Sequence, residues 1–330
     1  MVVAQKQYLY AGFGSTGQLF GWTIGSSGDL TTISGSPFTA SFLGGYIGGV
    51  GQANMITDPA GTLLFISDAV GGTIYVFQIG AGGVLSPVTG SPFAVPVTTP
   101  SFTPMNLATD GLGKYLYVID GTFLSHTGTQ IAAYSIGTGA SLGVLTTVPG
   151  SPFAYPMWQV KGEPSGNFLV GTSGNAKFIS GTDDNNLYVF SITQSGATAG
   201  AITQVAKQST TYSPYSIAVQ SNTGGNLVYS FSFNDTDTAF NNIEGFAVTS
   251  AGTLATLTGS PFSGVGDGSW GQFDQSGAYM FVYASYLNAS TNTVTTALTP
   301  LVIGTTGGLT QSIATFPLIT PGFWVVTDPQ

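Results

Sequence analysis

Short apolar runs, separated by glycine-rich turns, follow one another along the whole chain. Residues 54–88 show the pattern clearly, because four runs rich in β-branched and aromatic residues are divided there by Asp-Pro or Gly-Gly turns. Such runs predict β-strands joined by hairpins. No segment has helical periodicity over about ten residues or more. The pattern therefore predicts an all-β protein.

A short motif that ends in Gly-Ser-Pro-Phe occurs four times in the chain. The copies end at Phe38, Phe93, Phe153 and Phe262, so the period is about 55 residues, and one copy is missing from the last interval. A fixed period of this length indicates a repeat architecture in which each repeat is one structural unit.

The first strand of the repeat can be aligned six times. The sixth copy ends the chain, whereas Tyr8–Phe13 begins it as a second strand with no first strand before it. We therefore predict a six-bladed β-propeller, formed by residues 1–330 as one domain and closed by pairing of the C-terminal strand with the N-terminal blade. The six first strands are Asn54–Asp58, Asn106–Asp110, Gln159–Glu163, Ser216–Gln220, Trp270–Asp274 and Trp324–Asp328.

Charge is scarce in this chain. It has five lysines, no arginine, fourteen acidic residues and one histidine, which give a net charge of −9. This balance excludes nucleic acid as a partner, because nucleic-acid binding needs clustered Lys and Arg. No apolar run reaches the roughly 18 residues that a membrane span needs, and the lack of cysteine excludes disulfides. Few charges and many Ser, Thr and Gly residues favour an extracellular or cell-surface location.

Several motifs resemble those of known propellers. Leu116–Asp120, Leu187–Ile192, the Asp-Pro-x-Gly turns and the Gly-Ser-Pro-Phe elements resemble the blades of β-propeller lactonases and of YVTN-type surface-layer repeats, over nearly the whole chain. The resemblance to lactonases implies hydrolysis of a cyclic ester. Lactonase propellers usually have seven blades, and often have histidine at the start of the inner strand with arginine nearby. This chain has neither feature, so phosphogluconolactone is a poor candidate substrate.

The first residues of the six predicted first strands form a set that we call the channel-mouth ring. Long, varied loops are predicted on the same face, where function usually lies in such folds. Amides, a hydroxyl and two indoles suit a neutral, glycan-like ligand, or else they cap strand ends and hold water. The ring comprises Asn54, Asn106, Gln159, Ser216, Trp270 and Trp324.

Two further sets of residues could carry chemistry. His126 is the single histidine, and Asp120 before it could orient it as a general base, although an exposed loop histidine is the alternative. Two oxygen-rich loops could bind calcium, or could be solvated acidic loops; their acids are Asp183, Asp184, Asp235 and Asp237. Other acids recur before the same turn, where we expect them to cap it; they are Asp58, Asp110, Glu163, Asp274 and Asp328.

Three functions fit these observations. We expect first a non-catalytic extracellular building block of a surface, filament or adhesion assembly, whose partner is another copy or another surface component. The scarcity of charge supports this expectation. The alternatives are a propeller that binds a neutral polar ligand at the channel-mouth ring, and a lactonase-like hydrolase that uses His126.

Overall fold

A computed structural model gives the structure of the protein. Among the residues it describes, no helix is long and apolar enough to cross a membrane. The described residues are 7–13, 17–25, 29–40, 46–47, 50–51, 55–96, 102–121, 130–173, 184–222, 225–232, 243–262, 267–273, 277–288, 293–311 and 316–317.

The chain divides into two compact units. The first of them, which includes residues up to Tyr155, contains three antiparallel sheets of four or five strands and a two-stranded hairpin. The main strands of each sheet form a meander, in which consecutive strands are hydrogen-bonded neighbours, and the short last strand of the first and second sheets pairs beside the fourth-strand position with the strand two before it. The first blade contains β1 (Gln7–Phe13), β2 (Gln18–Ile24), β3 (Leu30–Thr32) and β4 (Phe38–Thr39), and is followed by the small hairpin β5 (Tyr46–Ile47) and β6 (Val50–Gly51). The second contains β7 (Met55–Thr57), β8 (Leu63–Asp68), β9 (Thr73–Ile79), β10 (Leu85–Pro87) and β11 (Phe93–Ala94). The third contains β12 (Pro104–Thr109), β13 (Tyr115–Asp120), β14 (Ile131–Ile136) and β15 (Leu145–Thr147).

The second unit, Pro156–Gly322, contains the other three sheets. The fourth blade contains β16 (Gln159–Gly162), β17 (Phe168–Thr172), β18 (Asn186–Ile192) and β19 (Ile202–Ser209). The fifth contains β20 (Pro214–Asn222), β21 (Gly225–Ser232), β22 (Ile243–Val248) and β23 (Leu254–Thr256). The sixth contains β24 (Asp267–Phe273), β25 (Tyr279–Asn288), β26 (Thr293–Ile303), β27 (Leu309–Gln311) and β28 (Phe316–Pro317).

These sheets confirm the predicted fold class, a six-bladed all-β propeller. The helical residues in the described part are two 3-10 turns, Ala81–Gly83 and Gly139–Ser141. Closure by the C-terminal strand stays a prediction, because Trp324–Asp328 lies outside the described residues. The extension of one domain over residues 1–330 likewise stays a prediction.

The apolar cores lie between successive blades within each unit. In the second unit, for example, Val170 and Leu187 of the fourth blade pack with Ile217 and Phe246 of the fifth. Because side chains alternate between the two faces of a strand, the second and fifth blades, the middle blades of their units, each contribute one face to the core before them and the other to the core after them. This alternation positions the polar residues described below.

The Gly-Ser-Pro-Phe motif fastens the end of the outer strand to the third strand of its own blade. In the second blade the Ser91 Oγ accepts the N–H of Val76 at 2.9 Å, and Phe93 then pairs with Ile74. The same serine bond joins Ser36 to Gly21, Ser151 to Ala133 and Ser260 to Gly245, at 2.9–3.0 Å. The fourth blade lacks the motif, and its outer strand β19 instead runs for eight residues.

The repeated acids cap the turn between the first and second strands, as the sequence predicts. The Asp58 Oδ1 accepts the N–H groups of Thr62 and Leu63, both at 2.7 Å. The Asp110 Oδ1 does the same for the two equivalent residues of its blade. Glu163 accepts the N–H of Ser165 at 3.0 Å. The predicted caps at Asp274 and Asp328 lie outside the described residues.

Candidate functional site

A set of polar side chains crosses the space between the fourth and fifth blades. The Gln159 Oε1 accepts the backbone N–H of Ile217 at 2.8 Å. In the antiparallel registers Ile217 lies opposite Ser230, and Ser230 lies opposite Glu244. Directly opposed residues share a face of the sheet, and so do residues two apart on one strand. Gln159, Ser230, Ser232 and Glu244 therefore border the same inter-blade space, and we call them the polar row.

Glu244 is the buried carboxyl of this row, with 6% of its surface exposed. The Thr211 N–H donates to its Oε2 at 2.9 Å and to its Oε1 at 3.1 Å, and the Thr211 hydroxyl donates to Oε1 at 3.0 Å. Burial raises the pKa of Glu244, although the hydrogen bonds from Thr211 and Tyr212 act in the opposite direction. A carboxyl with a raised pKa is suited to general acid–base catalysis near neutral pH.

Two serine hydroxyls beside Glu244 have unused hydrogen-bonding capacity. Ser230 and Ser232 are 0% and 1% exposed, and neither Oγ bonds to a described residue. The nearby hydroxyl of Thr172, by contrast, donates to the carbonyl of Pro214. Because buried polar groups are nearly always hydrogen-bonded, two such hydroxyls next to a buried carboxyl indicate a place that receives a polar molecule.

Lys161 adds a positive charge to the inner strand of the fourth blade. It lies opposite Val170 and two residues after Gln159, so it points to the same face as Gln159. The side chain is half-buried, and burial lowers the pKa of its ammonium group. Its ammonium group forms no ion pair or hydrogen bond with a described residue, whereas its backbone lies in the ladder opposite Val170.

Asp184, from the predicted calcium loops, is held by three side chains of its own blade. It accepts hydrogen bonds from Ser173 (2.6 Å), Asn186 (2.5 Å) and Tyr188 (2.7 Å). Burial opposes its ionisation, but these bonds and the charge of Lys207 together lower its pKa. The described residues include no group of three acidic, His or Cys side chains that could hold a metal. Since Asp183, Asp235 and Asp237 lie outside the described part, calcium binding stays a prediction.

The channel-mouth ring is only partly described. Gln159 contacts the fifth blade at Ile217, next to Ser216, whose own buried Oγ bonds to no described residue. Asn106 is 8% exposed on β12. The backbone of Trp270 lies on β24, but its side chain is outside the described part of the structure. Asn54 and Trp324 lie wholly outside it. The capping bond of Gln159 agrees with the structural alternative for that member, and ligand binding by the ring stays a prediction.

Of the predicted pair His126 and Asp120, the structure describes Asp120 alone. Asp120 is 3% exposed, and its Oδ1 accepts the N–H of Thr103 at 2.8 Å, so its described contact supports the backbone. His126 lies outside the described residues, and its role as a base stays a prediction.

Sequence reasoning missed Glu244, Thr211, Ser230 and Ser232. One signal could have revealed Glu244, because it is a lone acid inside the apolar strand Ile243–Val248 and belongs neither to the repeated turn position nor to a long loop. Thr211 had no such signal, since its contact with Glu244 joins residues 33 positions apart in the chain.

No protein-family model matches this sequence, and a comparison with curated proteins also found no match. Solved structures do match over nearly its full length. A periplasmic gluconolactonase of Pseudomonas aeruginosa is 14% identical, with a TM-score of 0.64, over 100% of this chain and 87% of its own. A candidate 6-phosphogluconolactonase of Bacteroides uniformis is 15% identical, with a TM-score of 0.62, over 97% and 82%. Another, from Bacteroides fragilis, is 15% identical, with a TM-score of 0.56, over 96% and 97%.

The fold is therefore that of the lactonase-like β-propellers, which confirms the resemblance seen in the motifs. The first expectation about function, a non-catalytic building block of a surface or filament, is wrong. The three solved structures named above are a gluconolactonase and two candidate 6-phosphogluconolactonases, and they favour the lactonase alternative. Scarcity of charge was the misleading feature, because it describes the surface of a protein and not its chemistry.

Proposed function

We propose that the protein is a lactonase-type hydrolase that opens a neutral, sugar-like cyclic ester. The observation that carries the proposal is the shared fold with a gluconolactonase over the whole length of this chain. The polar row supports it, because a buried carboxyl of raised pKa lies there beside hydroxyls that could hold water or substrate.

The charges of the chain support a neutral substrate. The chain has no arginine, so it cannot form the bidentate arginine contact that holds a phosphate or carboxylate. Its net charge of −9 also disfavours the approach of anions. A glycan-like ring of the substrate would suit the channel-mouth ring, so the predicted neutral-ligand site becomes part of the same proposal.

In such a reaction a water oxygen bonds to the carbonyl carbon of the lactone, and the ring C–O bond then breaks. The proton lost by the water is transferred to the leaving ring oxygen, and the product is the open hydroxy acid. The negative charge that develops on the carbonyl oxygen needs a donor or a cation. Lys161 is suited to this task, because it is the basic residue that the described inner strands carry.

The location of the protein belongs to the same proposal. The Pseudomonas aeruginosa neighbour is periplasmic. We propose that this chain also works outside the cytoplasm. Fractionation of the native host, followed by detection with an antibody, would contradict this if the protein stayed in the cytoplasm.

Lactone hydrolysis by the purified chain tests the activity. Acid release from glucono-δ-lactone and from its 6-phosphate is followed in a pH-stat, with the heat-denatured protein as the blank for spontaneous opening. We expect the protein to catalyse opening of the lactone ring, with a higher rate and a higher kcat/KM for glucono-δ-lactone than for its 6-phosphate. A rate equal to the blank for both compounds would refute the hydrolase, and preference for the phosphorylated compound would refute the neutral substrate class.

A further inference from the structure

We propose that Glu244 is the general base of this hydrolase and that Ser230 and Ser232 hold the hydrolytic water beside it. This inference rests on the proposed function and assigns its chemistry to the polar row.

The geometry of the strands places the three side chains together. Ser230 lies directly opposite Glu244 in the β21–β22 ladder, which puts their Cβ atoms about 5 Å apart. Ser232 follows two residues later on the same face. Neither hydroxyl bonds directly to Glu244, so a molecule between them would have to bridge the distance. A water with two to four polar partners is the small polar molecule that buried sites of this kind commonly hold.

The carboxylate retains capacity for that water. An ionised carboxylate accepts about four hydrogen bonds. Glu244 receives three donors from the segment between β19 and β20: the Thr211 N–H, which is shared between both carboxylate oxygens, the Thr211 hydroxyl and the Tyr212 N–H. These bonds fix the orientation of Glu244 without occupying all its lone pairs. A serine hydroxyl can both donate and accept, so Ser230 and Ser232 could position a water whose proton points at Glu244.

The chemical step is balanced within the site. Ionised Glu244 takes a proton from the water while the water oxygen bonds to the lactone carbonyl carbon. As the tetrahedral intermediate collapses, the ring C–O bond breaks and the protonated carboxyl returns the proton to the ring oxygen. The carboxylate is regenerated, and no other reactant is consumed.

The charged groups around Glu244 are few, so its titration should be visible in the rate. Lys161 on β16 faces the same inter-blade space. Asp184 before β18 and Lys207 on β19 belong to a separate cluster in the fourth blade with Tyr188. The pKa of Glu244 responds to burial first and then to the bonds from Thr211 and Tyr212.

The test compares isosteric variants on glucono-δ-lactone. We expect Glu244→Gln to lower kcat by about 10²-fold or more, the range of a positioned general base, and Ser230→Ala and Ser232→Ala to lower it by smaller factors. Asp110→Asn is the matched control, because Asp110 also has a raised pKa through burial but caps a turn in the first unit. It should keep the wild-type kcat.

A pH profile separates a base from a merely structural carboxyl. Thr211→Val removes the hydroxyl donor to Glu244, which raises the pKa of the carboxyl further. The acid limb of kcat/KM should therefore move to higher pH in this variant. This measurement tests the inference even if Glu244→Gln does not fold. Two results would overturn this inference and leave the proposed hydrolase activity intact. One is a folded Glu244→Gln protein with wild-type kcat, and the other is an acid limb that does not move in Thr211→Val. An inactive wild-type protein would refute the proposed function and this inference together.

Discussion

The side-chain carbonyl of Gln159 accepts the backbone N–H of Ile217 at 2.8 Å and so joins the inner strands of two neighbouring blades. Ile217 is 1% exposed, so its N–H has no access to solvent if the glutamine is removed. This single amide also marks the inner end of the polar row that leads to Glu244.

We therefore expect Gln159→Ala to destabilise the protein by about 1–3 kcal/mol, the usual cost of a buried donor left unsatisfied. Urea denaturation measures it as a lower midpoint with an unchanged slope. Gln208→Ala is the control, because the described contact of the Gln208 amide is with the adjacent carbonyl of Ser209 near the surface. Its effect should stay within about 0.5 kcal/mol. Equal midpoints for the two variants would show that the inter-blade bond contributes nothing.

A second prediction concerns the repeated motif. Ser91→Ala removes the acceptor of the Val76 N–H in the second blade, and we expect a loss of about 1–3 kcal/mol. Ser86→Ala changes an exposed serine on the outer strand of the same blade and should have little effect. Since the same bond occurs in three other blades, Ser151→Ala should cost a similar amount. Tolerance of both motif variants would contradict a role in fastening the outer strand.

The sequence was sufficient for the fold because most blades repeat the same local signals. The Asp58 and Asp110 caps, the serine of each motif and the alternation of the strands are decided within one repeat, over short separations. The predicted first strand Gln159–Glu163 agrees with the observed β16 to within one residue. Because the blades repeat, the strands of one blade can be predicted by alignment with the strands of the others.

The site was not predictable in the same way, because it depends on contacts between blades. Thr211 reaches Glu244 across 33 residues of sequence, and Gln159 reaches Ile217 across 58. A repeat analysis discards residues that depart from the repeat, and Glu244 is such a residue. The candidate base, Glu244, therefore lies at a departure from the repeat, although Gln159 of the same polar row occupies a repeated position.

Ring closure gives a third prediction. If the strand at 324–328 completes the first blade, deletion of residues 323–330 should leave the edge of β1 unpaired and cause unfolding or aggregation. Light scattering and thermal melting measure both effects. A truncated protein that stays monomeric with the wild-type Tm would refute closure.

The channel-mouth ring gives a fourth prediction. Indole rings stack on the apolar faces of sugars, so Trp270→Ala should raise KM for a neutral lactone and weaken binding of a neutral, sugar-like inhibitor. Calorimetric titration of such an inhibitor measures the loss, and the unchanged Tm of the variant would show that the fold is intact. Binding of a phosphorylated ligand that is tight and insensitive to Trp270→Ala would contradict the predicted preference.

The last prediction uses two carboxyls whose pKa values move in opposite directions. Burial raises the pKa of Glu244, so its protonated form is favoured in the folded state. Its contribution to stability is complete below the ordinary carboxyl pKa and is lost as the pH rises through the raised value. For Asp184, burial is outweighed by the bonds from Ser173, Asn186 and Tyr188, and the pKa is lowered. Its contribution is present above the ordinary value and is lost as the pH falls through the lowered one.

Removing each charge should therefore change the pH dependence of stability with opposite sign. Between about pH 4 and pH 7, the range above ordinary carboxyl pKa values, Glu244→Gln should become more stable relative to the wild type as the pH rises, because the wild type must then ionise a buried group. Above about pH 4, the ordinary carboxyl range, Asp184→Asn should lose a constant amount of stability. Below that pH the loss should shrink as the pH falls toward the lowered pKa of Asp184. Urea midpoints of the three proteins from about pH 3 to pH 7 measure both trends. Parallel curves for the two variants would show that the environments of these carboxyls do not differ as the hydrogen bonds and burial require.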